Sequence, residues 1–392
     1  MTGPVDAVTR TGVVVVGAGL AGWTVASTLR TEGYTGDVVV IGAEEHAPYD
    51  RPPLSKDFLA GRLHRGDLAL SPPDGDDGVT WRLGRRAVAL DVDARAVTLD
   101  DGTLVVGDHV VVATGAVARR LPGAVAGIHT VATLEDAEAL RSAVGHGVRV
   151  VVAGAGFLGL EVAASLTTLG ARVTVACADD GPLLRTIGPD ASAAVQTLHA
   201  SHGVRMVTGV RVLSALADAT GSGTSGVLLD DGRELPADVV VAAAGADPAA
   251  GWLWGSGLTL DGGVVCDATG NAAPGVHAVG DCAVWAGERC SHWTRTVRQA
   301  RRVAAVVAHR QPPEADVEPD YVWSDQYDAR LQMAGSLRGG ETGEVRSADG
   351  GLFVVFRSGD DEVAAFAMNQ PRRLMRWRKT HRRRPASERI PA

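Results

Sequence analysis

"GVVVVGAGLAGWTVASTLRTEGYTGDVVVIGAEE", Gly12 to Glu45, decides the fold. A run of β-branched valines over 13–16 predicts a buried strand. Three glycines follow, and then a stretch over 20–30 free of proline that predicts a helix. A second apolar run over 38–41 predicts a parallel strand. The glycines Gly17, Gly19 and Gly22 match G-x-G-x-x-G. The first permits the tight turn, the second lets backbone approach a pyrophosphate, and the third lets helix and strand pack closely. The N–H groups of Ala18, Leu20 and Ala21 lie in the same turn, at the positive end of the helix. Glu44 follows Gly22 at about the distance of an acid that accepts from a ribose hydroxyl.

The pattern recurs at "VRVVVAGAGFLGLEVAASLTTLGARVTVACADD", Val148 to Asp180. Here a strand over 148–153 leads into Gly154, Gly156 and Gly159, with Phe157 and Leu158 opening the helix. One such turn is a weak signal. Two, each strand–turn–helix–strand, point to two dinucleotide sites, FAD at the first and NAD(P) at the second; the alternative is a pair of α/β units without nucleotide. A third signal is "GVHAVGDCA", which places Gly280 and Asp281 directly after a short apolar strand. Asp281 there could accept from a ribityl hydroxyl, or could simply cap a strand-to-helix turn.

The rest of the composition narrows the field. The 392 residues suffice for two or three domains. A net charge of −8 argues against nucleic acid as a partner. Cys177, Cys266, Cys282 and Cys290 form no C-x-x-C and no metal cluster, so no metal is expected, and all four read as buried, reduced thiols of a cytoplasmic protein. Arg10 and the apolar run after it imitate a signal peptide, but that reading does not need glycines in a fixed pattern. No apolar stretch is long enough to span a bilayer.

"YDRPPLSK", Tyr49 to Lys56, holds one of two lysines in the chain; the other is Lys379. With "VVVATG" (Val110 to Gly115, including Ala113, Thr114 and Gly115) and the Gly280–Asp281 pair, the two glycine turns resemble the flavoproteins related to glutathione reductase. The redox C-x4-C of that family's disulfide members is excluded, because no cysteine precedes Cys177. The lysine loop is similar to that of the oxygenase-coupled NAD(P)H-dependent ferredoxin reductases. So are "SHWTRTVRQA" (Ser291 to Ala300), "YVWSDQYDARLQMAG" (Tyr321 to Gly335) and "NQPRRLMRWRK" (Asn369 to Lys379). The resemblance covers nearly the whole chain.

It implies that Lys56 lies beside flavin N5 and pairs with Glu161. A compact ammonium on a flexible stem suits that position, where a guanidinium would crowd the stacking plane of the nicotinamide. Without the resemblance, Lys56 could be a solvated loop residue. Glu161 could likewise be a carboxylate favoured by the dipole in the first turn of a helix. Pro52 and Pro53 stiffen the loop and are compatible with a cis bond. Arg51 reaches the FAD phosphates or caps the loop. Trp293 falls at the flavin surface by resemblance, or is a packed core aromatic.

Some residues depart from the pattern. Cys177 stands after the strand over 173–176, where an acid usually binds the adenosine ribose. Asp179 and Asp180 follow and could substitute, Asp179 first. No arginine adjoins them, and two carboxylates would repel a 2′-phosphate, so NADH is expected over NADPH. Ser291 and Arg295 replace an acid and an amide of the family and add positive charge. Arg372, Arg373, Arg376, Arg378, Lys379 and Arg382 to Arg384 make a basic C-terminus. It could steer an acidic ferredoxin, or be a solvated helix and tail.

The expected fold is α/β, with two Rossmann-like dinucleotide-binding domains and an α+β C-terminal domain. The FAD domain is expected over 10–116 and 245–318, the NAD(P) domain over 117–244, and the C-terminal domain over 319–392, containing a hairpin in "FVVFRSGDDEVAAFAMN". The expected function is an FAD-dependent NAD(P)H:ferredoxin reductase, monomeric or homodimeric, with a small iron–sulfur ferredoxin as partner and no membrane association. The alternatives are an oxidoreductase with oxygen, a quinone or a specialised metabolite as acceptor, and a non-catalytic protein that switches on binding NADH.

Overall fold

The computed structural model describes residues 8–70, 78–123, 126–289, 292–309, 318–347 and 350–381. Cys290, Ser291 and Arg382 to Arg384 lie outside them. The chain divides into two compact units. One draws on Met1–Asp50, Leu68–Val117 and Asp247–Glu314; the other on Arg51–Asp67, Ala118–Ala246 and Ala315–Ala392. The α-helices among the described residues are α1 (Leu20–Thr31), α2 (Leu134–Ala143), α3 (Phe157–Thr168), α4 (Leu184–Ser201), α5 (Trp293–Val307) and α6 (Pro371–Thr380).

The first unit is built on a sheet whose central strand is Val8–Val16, longer than the run over 13–16 predicts. It pairs in parallel with Val38–Gly42 on one side and Leu104–Val112 on the other. Val79–Leu83 and Val276–Ala278 extend the sheet outward. Val13, Val14 and Val15 have no exposed surface, as expected of a strand covered on both faces. Helices α1 and α5 pack against each other. Cys266 and Cys282 lie buried in this core, where desolvation pushes the Cys266 thiol up to about 12.

The second unit contains a parallel sheet in the order Arg205–Val207, Arg172–Ala176, Arg149–Ala153, Val239–Ala242 and Ile128–His129. It also contains an antiparallel sheet in the order Tyr321–Gln326, Ala329–Gly335, Asp361–Met368, Leu352–Ser358 and Thr342–Ser347. The expected hairpin forms between Leu352–Ser358 and Asp361–Met368, and α6 buries Leu374 and Trp377. Helix α4 breaks at Gly188, ahead of Pro189. A Cβ built on Gly188 would stand 2.6 Å from the Phe356 ring, so this turn of helix sits directly on the antiparallel sheet.

Candidate active site

The first glycine turn meets the steric demands read from its sequence. Gly17 has φ +119°, and a Cβ there would collide with the Ala113 carbonyl oxygen. At Gly22 a Cβ would collide with the carbonyl of Gly17. Helix α1 starts from Gly19 without a side-chain cap and without an acid in its first turn. Its positive end, with Ala18, Leu20 and Ala21, therefore carries no anionic cap of its own. Glu44 lies just past Val38–Gly42 and accepts from Tyr49 Oη at 2.6 Å. Ala113 to Gly115 leave the end of Leu104–Val112, with Ala113 N donating to Val16 O and Thr114 Oγ1 to Ala249 O at 2.8 Å. Gly280 N donates to Gln299 Oε1 at 2.9 Å, and Asp281 follows in the 3-10 turn Gly280–Cys282. All these groups stand at carboxyl ends of parallel strands, the ligand end of such sheets. An acid, an uncapped helix start and glycines stripped of Cβ together fit a dinucleotide.

Trp293 is 38 % exposed, and its Nε1 donates to Asp50 Oδ1 at 3.1 Å. The core-aromatic reading of Trp293 is therefore wrong. Arg295 Nη1 stands 3.5 Å from Glu288 Oε2, which offsets the charge that the substitution adds.

The second turn repeats the geometry inside the other unit. Gly154 has φ +122° with its Cβ position against the Ala243 carbonyl, and Gly159 closes on the Gly154 carbonyl. A Cβ on Gly156 would meet nothing within 4 Å, so the middle of the turn is open where backbone must meet phosphate. Helix α3 begins uncapped with Phe157 and the partly exposed Leu158, again with no acid in the first turn. Glu161 is the fifth residue of α3, not a first-turn acid, and only 6 % exposed. The helix dipole does not account for it there.

At the ribose end of this turn Cys177 is buried, and its Sγ donates to Gly181 O at 3.3 Å. Burial pushes the thiol's pKa up. Asp179 is paired with Arg185 Nε at 3.0 Å. The expectation that no arginine adjoins these acids fails in three dimensions, because the start of α4 brings Arg185 back to Asp179.

Lys56 ends the 3-10 turn Pro52–Ser55. Among the described residues no peptide bond is cis, so both prolines are trans. Arg51 donates through Nη1 to Ala132 O, a bond within the second unit that fixes the start of the loop. Lys56 Nζ stands 2.8 Å from Glu161 Oε2 and 3.1 Å from Pro52 O, with 14 % of its side chain exposed. This is not a solvated loop lysine. Ser55 Oγ donates to the same Glu161 oxygen at 2.5 Å. From the next turn of α3, Ser165 Oγ donates to Ser55 O at 2.7 Å.

The sequence reading missed the partners of Glu161. Ser324 Oγ donates to Glu161 Oε1 at 2.6 Å, Gln326 Nε2 to Ser324 Oγ at 3.0 Å, and Gln326 Oε1 lies 2.8 Å from His199 Nε2. The signal was present: Ser324 and Gln326 alternate on one face of a strand, and buried polar residues on one face call for partners.

The chain belongs to the pyridine nucleotide-disulphide oxidoreductase family, whose model matches residues 11–305. A Reductase C-terminal model matches residues 321–389. Within that family the chain groups with ferredoxin reductases of oxygenase systems. It is 37 % identical over 383 residues to rhodocoxin reductase of Rhodococcus erythropolis, covering 94 % of this chain and 88 % of that protein. It is 35 % identical over 376 residues to putidaredoxin reductase of Pseudomonas putida, covering 92 % and 89 %. A crystal structure of the covalent putidaredoxin reductase–putidaredoxin complex superposes with a TM-score of 0.90 at 32 % identity, covering 95 % of this chain and 93 % of that one.

Proposed function

We propose that the protein is an FAD-dependent NADH:ferredoxin reductase serving an oxygenase or cytochrome P450. The observation that carries this reading is the Lys56–Glu161 pair, held at 2.8 Å on the helix that opens at the second glycine turn. Bound FAD would accept the two electrons of NADH and release them singly to an iron–sulfur cluster. The chain's own residues bind and orient. The first turn, Glu44, Ala113 to Gly115, Gly280, Asp281 and Trp293 are assigned to FAD, and Arg51 is assigned to the same side of the site. Gly154, Gly156, Phe157, Leu158, Gly159 and Asp179 are assigned to NADH. Lys56 is assigned to the reacting edge of the flavin, with Glu161 aligning its ammonium.

The FAD and NAD(P) domain limits expected from sequence, 10–116 with 245–318 and 117–244, belong to the same reading, as does the C-terminal domain from 319. On α6, Arg372, Arg373, Arg376 and Lys379 are exposed, and this basic face suits an acidic ferredoxin. Among the described residues no helix is long and apolar enough to cross a membrane. A cytoplasmic setting, where NADH is supplied, completes the reading.

Anaerobic titration tests it. NADH should bleach the flavin absorbance with NADPH far slower, and turnover with an acidic ferredoxin should fall as salt rises. A flavin that neither coenzyme bleaches would sink the assignment.

A further inference from the structure

We propose that Ser324, Gln326 and His199 are positioning residues for the Lys56–Glu161 pair, linked in a buried hydrogen-bond chain whose donors all point toward the Glu161 carboxylate. The inference rests on the reading of that pair as the reacting one.

The direction of the chain follows from its chemistry. A carboxylate paired with an ammonium only accepts, so Ser324 Oγ donates to Glu161 Oε1 and is left to accept. Gln326 must then present its NH2 to Ser324 and its Oε1 to His199. His199 must therefore carry its proton on Nε2. Its Nδ1 becomes the acceptor for Tyr327 Oη at 3.3 Å. Tyr327 stacks on His202, with ring centroids 3.7 Å apart. Glu161 receives donors on both oxygens: Ser55 and Lys56 on Oε2, Ser324 on Oε1. A rotation that favoured one set would break the other.

Ser324, Gln326 and His199 have no exposed surface, so water cannot replace a lost member. The chain joins three separate elements. α3 supplies Glu161, the strand Tyr321–Gln326 supplies Ser324 and Gln326, and His199 comes from α4, whose first turn carries Arg185 beside Asp179. A core stabilised by apolar packing alone would not need three polar side chains in register at these positions.

The two-lysine composition supplies a test that does not depend on turnover. Holoprotein labelled with 13C and 15N in lysine alone contains signals from Lys56 and Lys379 only. Ser324→Ala should move the Lys56 Cε and Nζ signals and leave Lys379 in place. Gln326→Met should move them less, and His199→Phe least. Ser324→Thr, which keeps the hydroxyl, should restore the wild-type position. The rate of flavin bleaching by NADH should fall about tenfold in Ser324→Ala, about 1.4 kcal/mol in the barrier. It should fall by a smaller factor in the other two. If Ser324→Ala does not fold, Gln326→Met and His199→Phe carry the same test. A Lys56 signal that stays at its wild-type position in every folded, FAD-loaded variant overturns the proposal. A wild-type flavin that NADH does not bleach, together with Lys56 signals that move as expected, would uphold the positioning chain and remove the reductase reading instead.

Discussion

The two glycine turns share a backbone and differ in what stands at their far ends. Both use a first glycine at φ near +120° pressed against a neighbouring carbonyl, and both open an uncapped helix. Beyond the first, Glu44 is held by a short bond from Tyr49. Beyond the second, the usual acid position is a buried thiol, and the available carboxylate, Asp179, is shared with the exposed Arg185. An exposed ion pair of that kind contributes about 0–1 kcal/mol, so Asp179 can exchange its partner cheaply. A preset acid suits a ligand that stays, and an exchangeable one suits a coenzyme that must leave after each cycle. On the proposed assignment the phosphate cradle would be generic, and the ribose end would set how long each nucleotide stays.

Breaking the cradles should have the largest effect. Gly17→Ala should yield protein without flavin absorbance. Gly154→Ala should keep the flavin but raise the Kd for NADH at least 100-fold by fluorescence titration, since each adds a Cβ against backbone at positive φ. Loss of flavin from both would show that the turns are not independent.

The two units also differ in their buried histidines. In the first, burial and the neighbouring His109 lower His277 from 6.5 to about 4, against an opposing pull from Asp267. The unfolded chain takes up this proton first. Stability is therefore full above pH 6.5 and falls as acidification runs from there to about 4, by about 3 kcal/mol in all. Urea unfolding of His277→Gln should show a flatter acid limb than wild type. In the second unit, burial lowers His199 as well, so part of the acid sensitivity should survive in His277→Gln.

Giving the second turn an acid at the usual position should cost stability. The carboxylate of Cys177→Asp would be buried and face the Gly181 carbonyl, so denaturant unfolding should show a loss of about 2 kcal/mol. The smallest effects belong to the exchangeable pair. Asp179→Asn should raise the Kd for NADH about tenfold, ~1.4 kcal/mol. Arg185→Ala should change it by no more than a few-fold, and an equal loss from both would mean that Arg185 itself binds coenzyme.

The elements that were legible in sequence carry local signals. Valine runs marked the central strands, G-x-G-x-x-G marked both helix starts, and two apolar runs around polar residues marked the hairpin in 352–368. What stayed hidden depends on how the chain folds back on itself. Arg185 reaches Asp179 only because the chain turns back into α4. Ser324 reaches Glu161 across 163 positions. Glu161 was placed one turn too early, and that single turn separates a dipole-stabilised surface acid from a buried one. The stretch containing "WSDQ" was read for its resemblance, while its alternation, with Ser324 and Gln326 facing inward, carries the physical content.

The break in α4 at Gly188 bears on how this sequence can change over time. The missing Cβ and the Phe356 ring occupy one volume between them, 168 positions apart in the chain. Neither position is free to drift alone: a side chain at 188 requires a smaller one at 356, and a smaller residue at 356 opens a gap against Gly188 and Gly343. Lineages of this chain should therefore inherit the pair together, and a genome in which one has changed should show the compensating change in the other.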